Sequence, residues 1–306
     1  MPTNDPRPSK SQRRDEARAK ALAMRQEQER KAKRTRMIAI AGLLVAVLVL
    51  GGVVLAIVRQ GQATAEAYGD VVYAGGTQNT VAPALADVDA PAVADETGGI
   101  PISAAGVGEA GEGDTVVTVY LDFMCPWCGR FDAANASELD ALAAQGDVTV
   151  VYKNISFLDG NSKGTFFSTR AANAAATVAA EDPEHYTAFL TALFENQPEE
   201  GTAGLKDSRI AEIALEVGVP QDVVDTFTDT VEGTYEVQVS EGETETREGT
   251  WRRYAPFVAA ATQQAGEELD GLSTPTVLID GEKWEGDLYT PGALTLAVNE
   301  AAAAKG

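Results

Sequence analysis

A chain of 306 residues with a formal net charge of −22 has room for one large domain or two small ones, plus appendages. The charge is unevenly divided: residues 1–36 hold 12 Lys and Arg against 5 Asp and Glu, and the rest of the chain holds 12 against 41. A body that acidic argues against nucleic acid as partner, because a phosphate backbone needs a basic surface. The two Cys residues sit in one motif, so no structural disulfide braces the core elsewhere.

In chain order, residues 1–36 are polar, basic and rich in helix-favouring Ala, Arg, Gln, Glu and Lys, with almost no apolar periodicity. They predict a solvated cytoplasmic tail, helical near the membrane. Met37–Val58 is a run of 22 residues without a charge. A helix rising about 1.5 Å per residue covers the ~30 Å hydrocarbon core over that length. The basic flank places the N-terminus in the cytoplasm and everything after Arg59 outside, as a single pass through the cell membrane. A cleaved signal peptide competes, with cleavage sites at Ala63-Thr64-Ala65 or Ala65-Glu66-Ala67. However, the apolar run exceeds the roughly 7–15 residues of a signal core, which favours an uncleaved anchor. Arg13-Arg14 lies too far upstream for a twin-arginine signal. Residues 59–98 lack sustained periodicity and predict a flexible extracytoplasmic tether. The folded domain is then expected over 99–304, opening with an edge strand at Gly99–Ser103 that tolerates Pro101.

The chain is organised around Thr115–Arg130, TVVTVYLDFMCPWCGR. Val116 to Phe123 form a β-branched and aromatic run, which reads as a strand buried on both faces. It hands over to Cys125-Pro126-Trp127-Cys128 and then to a helix-compatible segment. Two Cys separated by two residues at a strand-to-helix junction form a redox motif. A cysteine at a helix N-terminus sits among unpaired N–H groups at the positive end of the dipole, which favours thiolate. Pro126 fits the first helical turn, where its missing N–H costs nothing. A zinc half-site would need two more protein ligands, and the chain has no other Cys and one His, His185. No metal is therefore expected, and exchange between the two thiols needs no organic cofactor. A purely structural disulfide closing so short a loop would stabilise less than the roughly 3 kcal/mol of a 15-residue loop.

Beyond the motif, a helix to about Asn135 and a second stretch at Ser137–Ala144 lead to a strand at Asp147–Ile155, which makes a βαβ unit. From 156 to 272 the pattern predicts a helical insertion. Its helices are a Ser168-capped one to Ala180, others at Pro183–Asn196, Ser208–Val217 and Gln221–Thr228, and a long one at Trp251–Leu269. Glu236–Gly249, acidic and rich in Thr and Gly, reads as an exposed loop. His185 reads as a surface or core residue. Thr276–Asp280 returns to strand, Asp280-Gly281 signals a hairpin, and Glu282–Glu285 is its partner. Thr290-Pro291 opens a final helix to Ala303.

YLDFMCPWC, a helical insertion, then STPTVLIDG and a terminal helix together resemble the DsbA-like thiol:disulfide oxidoreductases of the thioredoxin superfamily. The likeness is to the membrane-anchored actinobacterial branch and covers residues 99–304; Ser168–Ala175 (STRAANAA) is also similar to that branch. The resemblance implies an α/β thioredoxin fold with an inserted helical subdomain, behind one N-terminal transmembrane helix. It implies Cys125 as the exposed nucleophile, Cys128 as its buried partner, and Thr274-Pro275 as a substrate-binding loop with Pro275 in cis. It further implies cysteine-containing exported proteins as substrates and a membrane-embedded, quinone-linked reoxidising partner of the DsbB-like or VKOR-like kind. Pro126, Trp127 and Asp122 are the residues expected to tune the redox pair. Two positions depart from the family. Trp127 stands where DsbA has a charge-supplying His, and Val119 stands where thioredoxins carry a buried acid. The nearest acid, Asp122, either opposes thiolate formation at Cys125 or points to solvent. These features predict a Cys125 pKa of about 4.5–6.5. The same site run as a reductase or isomerase, and a non-catalytic binding protein on a thioredoxin scaffold, are the alternative functions.

Overall fold

The computed structural model describes residues 10–76, 79–269 and 271–305. The chain divides into two units, Met1–Gln62 and Ala63–Gly306. Helix α1 (Lys10–Tyr68) is 59 residues long; no proline interrupts it, and its composition favours helix on both sides of the apolar run. The apolar side chains of Met37 to Val58 are exposed along it. Among the described residues it is the one helix long and apolar enough to cross a membrane. The tail expected at 1–36 is helical from Lys10, and residues 1–9 lie outside the described residues.

In the second unit, four strands precede the long excursion: β1 (Ile100–Ser103), β2 (Gly106–Val107), β3 (Thr115–Leu121) and β4 (Val148–Asn154). A separate hairpin follows, β5 (Thr230–Ser240) and β6 (Glu243–Arg252), and then β7 (Thr276–Ile279) and β8 (Glu282–Lys283). The main sheet runs β2-β1-β4-β3-β7-β8. Helix α2 (Pro126–Ala143) is the crossover between β3 and β4, which pair in parallel from Thr115 opposite Val148 to Leu121 opposite Asn154. Val117, Val119 and Leu121 of β3 are each buried to within 1%. Those three share one face; the opposite face is half-buried at Val116 and Thr118 and buried at Tyr120, so the strand is covered more fully on one side than on the other.

The remaining helices are α3 (Phe167–Glu181), α4 (Tyr186–Glu195), α5 (Asp207–Glu216), α6 (Gln221–Asp225), α7 (Ala255–Glu268) and α8 (Ala293–Lys305). Every residue of α3 from Phe167 to Ala179 is buried. Its six buried alanines let neighbours approach closely, and each buried polar side chain has at least one partner, Arg170 Nη2 alone being left without one among the described side-chain atoms of this helix. Thr169 binds both oxygens of Asp159, with N–H to Oδ1 at 3.0 Å and Oγ1 to Oδ2 at 2.5 Å. Arg170 pairs with Asp207 at 2.8 Å. Asn173 donates to the Phe227 carbonyl at 3.0 Å and accepts from the Tyr254 N–H at 2.9 Å. The Ser168–Ala175 run is thus the hub onto which α5, the Phe227 turn and the start of α7 are tied. His185 is half-buried and its Nδ1 lies 2.8 Å from Asp182 Oδ2.

Several sequence expectations need correction. Glu236–Gly249 is no loop but most of the β5–β6 hairpin, in register from Thr230 opposite Arg252 to Gln238 opposite Thr244, with a one-residue shift before Ser240 pairs with Glu243. Alternating Val231, Tyr235, Val237 and Val239 carry the strand pattern, which the interleaved glutamates masked; Gly242 takes the turn at φ 77°. The insertion is therefore helical with a β-hairpin inside it, and Trp251 lies on β6 rather than at the start of a helix. The two segments expected before β4 are one continuous α2, because Asn135 folds its amide back to the Phe131 carbonyl instead of breaking the helix. Ser168 does not cap α3; Phe166, at φ 52°, does. Helix α8 starts at Ala293 rather than Pro291.

The flexible tether expected at 59–98 is also corrected. Helix α1 continues to Tyr68, and Val71, Val72 and Ala74 are buried. The Tyr73 ring packs against Trp251 at 4.9 Å and Tyr235 at 6.1 Å. Asn79 and Val81 hydrogen-bond along β5, at 2.8 Å each. Short apolar bursts without a period dock an irregular segment as firmly as a periodic one, which hydropathy patterning does not register. Thr77 and Gln78 lie outside the described residues.

Candidate redox site

Strand β3 ends at Leu121, and the next turn is closed by the Cys125 N–H donating to the Asp122 carbonyl at 3.0 Å. Cys125 takes the N-cap of α2 in extended conformation and Pro126 the first turn. Gln197, just beyond α4, clamps the junction: its Nε2 donates to the carbonyls of Phe123 at 2.9 Å and Cys125 at 2.8 Å. A Cβ at residue 129 would come within 2.5 Å of Gln197 Oε1, so Gly129 is what lets Gln197 lie across the first turn. Both cysteines are free thiols in this structure.

The two sulfurs occupy different surroundings. Cys128 is wholly buried, and burial together with the neighbouring Cys125 pushes its thiol far up. Cys125 is lowered to about 6, chiefly by the Cys128 thiol donating to it, against the opposing effect of its own burial. The Thr274 hydroxyl and the amides of Cys128 and Trp127 add to the lowering. The helix N-terminus is thus a contributor, but the partner thiol is the leading cause. Cys125 is only 4% exposed, so the nucleophile expected to be exposed is in fact covered. Its Sγ reaches the Thr274 carbonyl oxygen at 3.4 Å, under the Thr274-Pro275 loop. That loop lies opposite the motif, and its peptide bond is cis. The Thr274 hydroxyl is buried without a hydrogen-bond partner in the dithiol form, yet it favours the thiolate of either sulfur.

Asp122 neither faces solvent nor stands among the leading influences on Cys125. It is fully buried, and its carboxylate accepts from the Met124 N–H at 2.8 Å, the Leu158 N–H at 2.8 Å and the Ser168 hydroxyl at 2.6 Å. Burial, partly offset by those three bonds, raises it to about 7. The buried acid missing at Val119 therefore exists, three residues before Cys125. Trp127 is 50% exposed beside the cysteines and lies 5.5 Å from the Tyr289 ring. Arg130 stacks over both rings. Sequence reasoning missed Gln197, Tyr289 and Arg130. Only Arg130 had a signal, since its i, i+3 spacing from Trp127 places both on one helix face.

Residues 107–297 match the family model described as Thioredoxin. Over 108 residues the chain is 36% identical to the serine/threonine-protein kinase PknE of Mycobacterium tuberculosis. The match takes in 34% of this chain and spans only 19% of that relative's length. Among solved structures, it resembles the MdbA thiol-disulfide oxidoreductase of Corynebacterium diphtheriae, with TM-score 0.51 and 20% identity over 68% of this chain and 91% of that one. The MdbA protein of Actinomyces oris gives 0.50 and 20% over 72% and 96%. The reduced disulfide bond oxidoreductase DsbG of Mycobacterium tuberculosis gives 0.50 and 25% over 69% and 95%.

The cause of the Cys125 shift leads to a testable outcome. The pH profile of alkylation at Cys125 in the reduced protein is expected to turn over near pH 6. Cys128→Ala, which removes the thiol donor, is expected to move that midpoint upward, whereas Cys128→Ser, which keeps a donor, moves it less. An unchanged midpoint in Cys128→Ala would assign the shift to the helix amides instead.

Proposed function

We propose, from the premise that the chain belongs to the thioredoxin family and is a DsbA-like thiol:disulfide oxidoreductase, that its oxidised form donates disulfides to exported proteins. The observation that carries this reading is the unequal setting of the two sulfurs: one at a helix N-cap beneath the Thr274-Pro275 loop, the other sealed in the core. A substrate thiolate attacks Cys125 Sγ, the Cys125–Cys128 bond breaks, and its electron pair goes to Cys128, which burial drives to take up a proton. A second substrate thiolate then attacks the substrate sulfur of the mixed disulfide, and Cys125 leaves as a thiolate. The substrate loses two electrons and the protein gains two. A sulfur lowered to about 6 leaves readily and makes the reduced form the stable one, which is the poise of an oxidant. A value near the roughly 7 of thioredoxin or above it would instead fit a reductase.

In this reading Cys125 and Cys128 are catalytic. Pro126 and Trp127 shape the first turn, Asp122 fixes it from below, and Thr274 and Pro275 present backbone to a bound substrate. Reoxidation falls to a membrane-embedded, quinone-linked partner of the DsbB-like or VKOR-like kind. The domain is placed outside the cell membrane, behind Met37–Val58, because the basic residues preceding that run favour the cytoplasm.

Two experiments test this. The oxidised protein mixed with a reduced, unfolded ribonuclease is expected to transfer its disulfide in a one-to-one burst, and Cys125→Ser to abolish it. A burst that survives in Cys125→Ser would refute the assignment. Protease added to intact spheroplasts is expected to remove the cysteine-bearing domain and spare residues 1–36. A soluble mature form beginning near residue 66 or 68 would contradict the anchor.

A further inference from the structure

Arg130 lies on the exposed face of α2, five residues past Cys125. Its guanidinium carbon is 4.8 Å from the centroid of the Trp127 indole and 5.5 Å from that of the Tyr289 ring. Two aromatic faces hold the guanidinium in place by cation–π attraction and leave its edge outward. Of the twelve Lys and Arg after residue 36, eight are ion-paired with a carboxylate: Lys153 and Arg170, Arg209 and Arg247, Arg252 and Arg253, Lys283 and Lys305. Arg130 has no ion pair or hydrogen bond among the described residues. The nearest acid in sequence to Tyr289 is Asp287, whose carboxylate is engaged by the Tyr289 N–H at 2.9 Å and the Thr290 hydroxyl at 2.7 Å.

Arg59, Lys163 and Lys206 also lack an ion pair among the described residues, but Arg130 is the one of the four whose charge is held over an aromatic ring of the motif. Its fork of N–H donors matches a carboxylate in two-point geometry. Trp127 belongs to the motif itself and its ring lies 5.5 Å from that of Tyr289, so the guanidinium over both rings sits beside the exchange site. The Arg130 side chain folds back so that its guanidinium lies over Trp127, two residues from Cys125, and an extended peptide covers about 3.3 Å per residue. A carboxylate about two residues from a substrate cysteine docked at Cys125 would therefore reach Arg130.

We propose that Arg130, presented by Trp127 and Tyr289, is a carboxylate-binding subsite, and that it selects substrates with an Asp or Glu close in sequence to the reacting cysteine. This rests on the exchange reading of Cys125 and Cys128 and deepens it into a substrate class. Long-range repulsion between the acidic domain and an acidic peptide is nearly the same with or without one arginine. The subsite therefore shows as a change in preference between protein variants rather than as an absolute preference.

The test uses the full chain, oxidised, in an uncharged detergent. Two dithiol peptides, alike except for Asp or Lys two residues from one Cys, reduce the protein, and the Asp-to-Lys ratio of second-order rates is the readout. Effects of the flank on the peptide's own thiol cancel between protein variants. Arg130→Ala is expected to lower the ratio about three- to fivefold, in the range of an exposed charge pair. Arg130→Glu is expected to lower it further, and Arg130→Lys to retain part of it. The effect should shrink at high salt. A ratio that stays the same in Arg130→Ala and Arg130→Glu would overturn the subsite. Failure of the unmodified protein to exchange with dithiothreitol would overturn the exchange reading itself, and the subsite with it.

Discussion

A buried carboxylate holds the site together. Asp122 directly follows β3, and its two oxygens gather the Met124 amide of the motif turn, the Leu158 amide of the loop after β4, and the Ser168 hydroxyl of α3. Placing a carboxyl in the interior is costly, and its rise to about 7 shows that three hydrogen bonds only partly offset desolvation. In return, three chain segments meet at one point directly beneath the cysteine pair. Gln197 does the same work from the other side, through neutral hydrogen bonds to the carbonyls of Phe123 and Cys125. The junction of β3 and α2 is thereby fixed before any chemistry occurs there.

On that frame, charge is distributed with a purpose that a net value conceals. The leading support for the Cys125 thiolate comes from the Cys128 thiol, a neutral donor, reinforced by amides and the Thr274 hydroxyl. No cation is needed for it, which answers how a motif with Trp127 in place of a histidine still lowers its first cysteine. Arg130 is left to act outward, on whatever approaches. Burial raises both sulfurs, and only Cys125 is given donors sufficient to overcome it.

Much of this was legible in residue order. The run of Val116 to Phe123, the Cys pair and the strand at Asp147–Ile155 specified an α/β core, because a parallel pair covered on both faces is written as continuous apolar sequence. The Asp280-Gly281 turn and the terminal helix were readable for similarly local reasons, and the fold found is the thioredoxin fold that the motifs resembled. Illegible features were those decided by tertiary partners. Glutamates and threonines on β5 and β6 hid a hairpin whose stability comes from cross-strand pairing and from Tyr73 packing on Trp251 and Tyr235. Asp122 read either as an acid opposing the Cys125 thiolate or as one facing solvent, because nothing local reveals the amide of Leu158 or the hydroxyl of Ser168, 36 and 46 residues away. Gln197 and Tyr289 gave no signal at all, since their importance lies wholly in what they touch.

The central claim is that the dithiol form is stabilised by the Cys125 thiolate, so that the pair acts as an oxidant. The measurement that bears on it most directly is the reduction potential of the Cys125–Cys128 couple, from equilibration of the full chain with glutathione buffers. The account predicts a potential between about −200 and −120 mV, less negative than glutaredoxins and short of DsbA. A value near the roughly −270 mV of thioredoxin would contradict it, because the disulfide would then be the stable form and the chain a reductant.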